Sequence, residues 1–217
     1  MTAAAPRLAC FDLDNTLIDR DAAFLAWARW WVDREGLDES AVGWLRDHDQ
    51  GGFHDRRKLF AGLKEGYPVG ATVPELVEAY DAEHPLFTRA EQAVLDGLES
   101  LRTAGWRVAV ITNGGTVQQS LKLRTTGIDQ VVDFACISEA AGVRKPDPRI
   151  FAVTAEQTGA TLAGGWMVGD HPAYDIAGGI NAGLSTIRIG HHHAVDTPVA
   201  DHHFDSILKA FPVILAS

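Results

Sequence analysis

The sequence predicts an α/β fold, a parallel sheet covered on both faces with an all-helical module inserted after its first strand, and three observations predict it. Short apolar runs recur at Leu8 to Phe11, Val108 to Ile111, Phe134 to Ile137, Trp166 to Val168 and Ser185 to Ile189. Near-continuous apolar strands of this kind belong to sheets buried on both sides. Helical patterns separate most of them, the alternation of βαβ units. Between about Ile18 and Pro85 the alternation stops: that stretch carries four helical patterns and no convincing strand.

The elements follow in order. In the inserted stretch the helical patterns run over Ala22 to Asp33, Ser40 to Asp47, Asp55 to Lys64 and Pro74 to Glu83, the last opened by the capping-box spacing of Thr72 and Glu75. Phe24, Trp27, Ala28 and Trp31 fall at i, i+3, i+4 and i+7, which most economically makes them the buried stripe of the first helix. Thr88 and Glu91 have capping-box spacing ahead of Leu95, Leu98 and Leu101, with Gly105 placed to end that helix. Asp147-Pro148 reads as an N-cap with proline at the first helical position, and Gly159 ends the helix it opens. The division is a core of residues 1–17 and 86–217 around a helical module of residues 18–85.

The 217 residues, 46% hydrophobic and 22% charged, are enough for one full core plus that module. A formal net charge of -10 argues against nucleic acid or an anionic membrane as partner. The basic cluster Arg56-Arg57-Lys58 reads as a solvated helix face. Cys10 and Cys136 lie in apolar runs and read as reduced core thiols, which predicts a cytoplasmic location. Met1 to Arg7 has no apolar leader pattern and no run approaches a membrane span, so neither cleavage nor a membrane is expected.

The chemistry sits at strand ends. Asp12 and Asp14 close the first apolar run, with Thr16 two residues on. Two anions crowded together call for a cation or a shared proton. Alone, this pattern also fits a turn and a helix cap. The second run ends in Thr112-Asn113-Gly114-Gly115, a hydroxyl and flexible backbone suited to phosphate oxygens. Lys145 precedes a proline-stiffened helix start. The fourth run ends in Gly169-Asp170, with Asp175 five residues after Asp170. Four acids, a lysine and a threonine at strand ends amount to a cation site beside an anion site.

Asp12-x-Asp14-x-Thr16, Thr112, Lys145-Pro146 and Gly169-Asp170-x-x-x-x-Asp175, in this order, resemble the motifs of the haloacid dehalogenase superfamily. Each motif is weak alone; their ordered co-occurrence is specific and spans nearly the whole core. The helical insertion resembles the cap of the subgroup that includes phosphoglycolate phosphatases, beta-phosphoglucomutases and 2-haloacid dehalogenases. The resemblance implies a Rossmann-like core with ligand bound at the switch point of the sheet, between the strands ending in Asp12 and Asp170. It implies a Mg²⁺-dependent phosphatase of a small phosphate monoester, a phosphorylated metabolite, working through an aspartyl phosphate on Asp12. Asp14 becomes the general acid and base. Mg²⁺ falls to the Asp12 carboxylate, the Asp14 backbone carbonyl and Asp170, with Asp175 behind them or as a further ligand. Thr112, the amides near Asn113 and Gly114, and Lys145 take the phosphoryl group.

Hydrolytic dehalogenases of the superfamily lack an acid two residues after the nucleophile, and this chain keeps Asp14. A phosphomutase and a non-catalytic phosphate-sensing or protein-binding module are the competing readings. Arg20, Trp30, Trp44, His48, His54, Arg56 and Arg57 are cap candidates for a substrate's distal groups, with no signature spacing to single one out. His191, His192, His193, His202 and His203 read as an exposed loop, and His171 as a residue lining the site without chemistry. Monomer and homodimer both remain open.

Overall fold

A computed structural model describes residues 5–190 and 198–217. His191, His192 and His193 lie outside the described residues. In chain order the elements begin with β1 (Arg7–Phe11), then α1 (Arg20–Arg34), α2 (Ser40–Asp49), α3 (Arg56–Gly66) and α4 (Val73–Glu83). There follow α5 (Gln92–Thr103), β2 (Arg107–Thr112), α6 (Thr116–Thr126), α7 (Ile128–Val131), β3 (Phe134–Ile137), α8 (Ser138–Ala141) and α9 (Pro148–Thr158). The chain closes with β4 (Thr161–Gly169), a π-turn at Pro172–Ile176, α10 (Ala177–Asn181), β5 (Ser185–Ile189), β6 (His202–Phe204) and α11 (Ala210–Leu215). The chain forms two compact units, Met1–Ile18 with Ala90–Ser217, and Asp19–Arg89.

The first unit is a six-stranded parallel sheet in the order β3-β2-β1-β4-β5-β6, a Rossmann-type arrangement. The alternation of β1 explains its central place. Ala9 and Phe11 face a cluster with Val108, Val110, Leu98, Leu101, Phe211 and Ile214, while Leu8 and Cys10 face another with Ala109, Ile111, Met167, Ile150 and Phe151. Both faces are thus apolar and covered. The strand order reverses between β1 and β4, so their carboxyl ends flank the switch point of the sheet. Cys10 and Cys136 are buried free thiols, and burial raises both.

The second unit is all-helical. Its interior holds Phe24, Trp27, Trp31, Leu45, Phe60, Leu63, Leu76 and Tyr80, so the aromatic stripe of α1 is core. Thr72 caps α4 with the reciprocal Glu75 contact that the spacing predicts. Buried in this unit, Asp49 accepts from Arg20, from Arg56 at 2.7 Å and from the Gly52 N–H at 3.0 Å. Burial alone would raise the Asp49 carboxyl, but the two arginines together hold it below the usual range.

Four sequence expectations need correction. Thr88 caps nothing downstream: its hydroxyl donates to Pro85 O at 2.6 Å, and α5 starts at Gln92 with Glu91 in the N-cap position. β4 starts five residues before Trp166, running through Gly164 and Gly165. A side chain at Gly165 would meet Leu8 O at 2.6 Å, so the close passage of β1 requires glycine there. A sixth strand, β6, pairs with β5 and contains His202 and His203, which are therefore not loop. Arg56 is half-buried against Asp49 and lies over the Tyr80 ring, leaving Arg57 and Lys58 as the exposed part of that cluster. Among the described residues no helix is long and apolar enough to cross a membrane.

Candidate active site

The end of β1 carries the chain straight into the site. The Asp12 N–H donates to Val168 O at 2.9 Å, which extends the β1–β4 ladder by one residue and fixes the Asp12 backbone beside the end of β4. Its carboxylate receives Lys145 Nζ on Oδ1 at 2.5 Å and the Thr16 hydroxyl on Oδ2 at 3.3 Å. Lys145 Nζ also donates to Asp175 Oδ1 at 2.7 Å, and all three charged groups are buried. One ammonium therefore bridges two carboxylates from different strand ends.

Lys145 is held from its backbone. The Asn113 side chain accepts from the Lys145 N–H at 2.9 Å and donates to the Lys145 carbonyl at 3.1 Å, a two-point clamp from the turn after β2. The side chain of Asn113 is thus committed to scaffolding. The Gly114 N–H donates to Ser138 Oγ at 3.0 Å, so that amide is also engaged within the turn. Thr112 is buried and its hydroxyl accepts from Gln119 Nε2 at 2.5 Å.

Asp175 is placed by the π-turn after β4. Its Oδ2 accepts from the His171 N–H at 2.9 Å, and His171 Nδ1 in turn accepts from the Ala173 and Tyr174 N–H groups. His171 is a cap for this turn. Gly169 makes the arrangement fit, because a Cβ there would lie 2.3 Å from Asp175 Cγ.

Asp12, Asp170 and Asp175 offer carboxylate oxygens all within 4.8 Å of one another. Three carboxylates facing one lysine leave an excess of negative charge. Burial, opposed by Lys145 and reinforced by Asp175 and Asp14, pushes Asp12 up to about 7. Burial with Asp12 and Asp175 nearby pushes Asp170 up to about 8. Lys145 is held above its ordinary value despite burial, by the same two carboxylates it bridges. A set of hard oxygen donors with surplus negative charge fits a hard divalent cation. Asp175 is closer to this cluster than the sequence alone indicates.

Asp14 has a lysine of its own. Lys122 Nζ donates to both Asp14 oxygens at 2.7 Å, and Gln119 Nε2 donates to Oδ2 at 2.9 Å. Sequence reasoning missed both donors. They stand three residues apart on α6, whose buried face is largely polar, Gln119, Lys122 and Thr126 beside Leu123, and so writes no apolar stripe into the sequence. The signal available was position, since α6 starts directly after the Thr112 turn.

Arg20, Trp30, Trp44, His48, His54, Arg56 and Arg57 all belong to the helical unit. Arg20 is buried on Asp49 and Tyr80, Trp30 is exposed, and Trp44 stacks on His48.

The profile of the family described as haloacid dehalogenase-like hydrolase matches residues 9–189 of this chain. A pyrimidine 5'-nucleotidase of Escherichia coli is 42% identical over 88 residues, 40% of this chain and only 39% of the nucleotidase's length. A phosphoglycolate phosphatase of Agrobacterium fabrum is 26% identical over 211 residues, covering 95% of this chain and 90% of that protein. The crystal structure of the HAD-hydrolase YfnB from Bacillus subtilis, bound to magnesium, superposes with a TM-score of 0.81 at 21% identity, over 97% of this chain and 99% of that one, a likeness of fold.

Proposed function

Because the chain belongs to the haloacid dehalogenase-like hydrolase family, we propose that it is a phosphatase that hydrolyses a small phosphate monoester through a phosphorylated Asp12. The observation that carries this reading is the meeting of Asp12, Lys145, Asp170 and Asp175 at the ends of β1 and β4, with a second acid, Asp14, two residues beyond the first. Phosphoryl transfer needs positioning and charge compensation more than it needs covalent versatility, and these groups supply both.

In this reading an Asp12 oxygen attacks phosphorus as the bond to the leaving oxygen breaks, and protonated Asp14 gives that oxygen its proton. Ionised Asp14 then takes a proton from water as the water oxygen bonds to phosphorus and Asp12 is released. Lys145 opposes burial in favouring the anionic form of Asp12, and offsets the charge of the phosphoryl oxygens. The Thr112 hydroxyl accepts from Gln119, which leaves its proton to be donated to a phosphoryl oxygen. Asp12 and Asp170, with Asp175 adjoining and the Asp14 backbone carbonyl beside them, would hold Mg²⁺, which would supply positive charge to offset the carboxylates facing a phosphate dianion. The helical unit is the module that sets which leaving group is accepted, since recognition is grafted onto such cores.

The test is release of inorganic phosphate from an aryl phosphate and from a panel of phosphorylated metabolites compared by kcat/KM. Turnover that needs Mg²⁺ and stops with excess chelator supports the proposal; no turnover of any phosphate ester, or full activity in chelator, overturns it.

A further inference from the structure

We infer that Gln119 and Lys122 are positioning residues for acid–base catalysis: together they fix the Asp14 carboxylate and tie it to the Thr112 hydroxyl in the phosphate cradle. The inference rests on the phosphatase reading above and names two residues that the family's four motifs leave without a task.

The observations converge on one carboxylate. Lys122 Nζ reaches both oxygens of Asp14 at 2.7 Å, and Gln119 Nε2 adds a third contact to Oδ2 at 2.9 Å. Three donor contacts on two oxygens set the rotation of the carboxylate as well as its place. The same Gln119 nitrogen donates to Thr112 Oγ1 at 2.5 Å, so one amide spans the acid–base group and the hydroxyl meant for phosphate. Both side chains are buried, at 1% and 2% exposure. A buried ammonium and a buried amide are costly unless paired, and Gln119 Oε1 has no hydrogen-bond partner among the described residues. The amide is therefore turned to serve Asp14 and Thr112 at the expense of its own oxygen.

The helix makes the pairing geometrically natural. α6 starts after the Thr112–Gly115 turn, so its first turns rise beside the cradle, and positions 119 and 122 share a face as i and i+3. Gly114 leaves the room: a Cβ there would lie 3.0 Å from Gln119 Cγ. Neither residue exchanges a proton in the reaction. The proton moves from Asp14 to the leaving oxygen and later from water to Asp14, and Gln119 and Lys122 hold Asp14 where both transfers are in reach.

The experiment is a double-mutant cycle read by rapid quench, with Lys122→Met, Asp14→Asn and the pair, on an aryl phosphate and an alkyl phosphate. With the aryl ester, whose leaving group needs little protonation, Lys122→Met should form phosphoenzyme within about threefold of the wild-type rate and break it down at least about tenfold more slowly. With the alkyl ester both steps should slow. Lys122→Arg should restore most of the breakdown rate, and in the Asp14→Asn background Lys122→Met should add nothing. If Lys122→Met does not fold, Gln119→Met carries the test, with the same pattern and a smaller loss. A loss of equal size with and without the Asp14 carboxylate, or unchanged partition between formation and breakdown, overturns the inference while leaving the phosphatase reading intact. A wild type that never labels or turns over removes that reading, and this inference with it.

Discussion

Replacing Gly169 by alanine tests how tightly the site is built. A Cβ at that position would stand 2.3 Å from Asp175 Cγ and 2.4 Å from its Cβ and Oδ2, where ordinary contact starts near 3.4 Å. Because the clash includes Cβ, a rotamer change cannot relieve it, and the backbone of the π-turn must retreat by about 1 Å. Overpacking of this kind costs ~1–3 kcal/mol. The retreat also stretches the bonds that Asp175 accepts from Lys145 at 2.7 Å and from the His171 N–H at 2.9 Å. Each such charge-assisted bond is worth ~1.5–3 kcal/mol, so overpacking plus one lost bond comes to roughly 2.5–6 kcal/mol. At ~2–4 °C per kcal/mol for a chain of this size, Tm should fall by roughly 5–24 °C. Activity should fall on the order of 10²-fold, since Lys145 and the carboxylates shift together. Calorimetry and steady-state kinetics measure the two. Gly43→Ala, in α2 with open space around it, is the control and should cost nothing. A Gly169→Ala protein with wild-type Tm and kcat would show that Asp175 is not held as described.

Three further outcomes follow from charge. In the metal-free protein Asp12 and Asp170 are raised to about 7 and about 8 by burial, with Asp175, Asp14 and Lys145 as the other charges facing them. The native state then holds more protons than the unfolded chain between about pH 4 and 8, so its stability should fall as pH rises through that window. Lys145, raised from an ordinary value above this range, contributes no slope there. Mg²⁺ binding should strengthen over the same window and release protons, read by titration calorimetry in buffers of different ionisation enthalpy; pH-independent affinity between 6 and 8 would contradict this. In the helical unit, Asp49→Asn leaves Arg20 and Arg56 without their shared carboxylate and should destabilise that unit by ~3–5 kcal/mol. Hydrogen exchange should locate the loss in residues 19–89, and protection there equal to wild type would show the network to be incidental.

Much of the core was legible because strands buried on both faces write themselves as apolar runs: β1, β2, β3 and β5 match theirs to within one residue at either end. β4 extends beyond its apolar run because Gly164 and Gly165 carry no apolar signal, although the close passage of β1 requires glycine at 165. β6 could not be read at all, since three residues with two histidines carry no apolar signal and owe their extension to pairing with β5. The candidate acids were visible because strand ends place them in sequence order. What was hidden is what other elements bring to those acids. The Asn113 clamp on Lys145, the Lys145 bridge to Asp175 and the Gln119–Lys122 hold on Asp14 join positions 30 to 108 residues apart. Thr88 failed for the same reason in miniature: its hydroxyl had a nearer carbonyl.

Mass spectrometry of the peptide bearing Asp12, after rapid quench of enzyme mixed with an aryl phosphate and Mg²⁺, is the most direct test of the central claim. The account predicts a phosphoryl group on Asp12 that forms before inorganic phosphate appears, that accumulates further in Asp14→Asn, and that is absent in Asp12→Asn. Phosphate released steadily with no label on Asp12 in either the wild type or Asp14→Asn would contradict it, and would leave Asp12 a metal ligand beside direct attack by water.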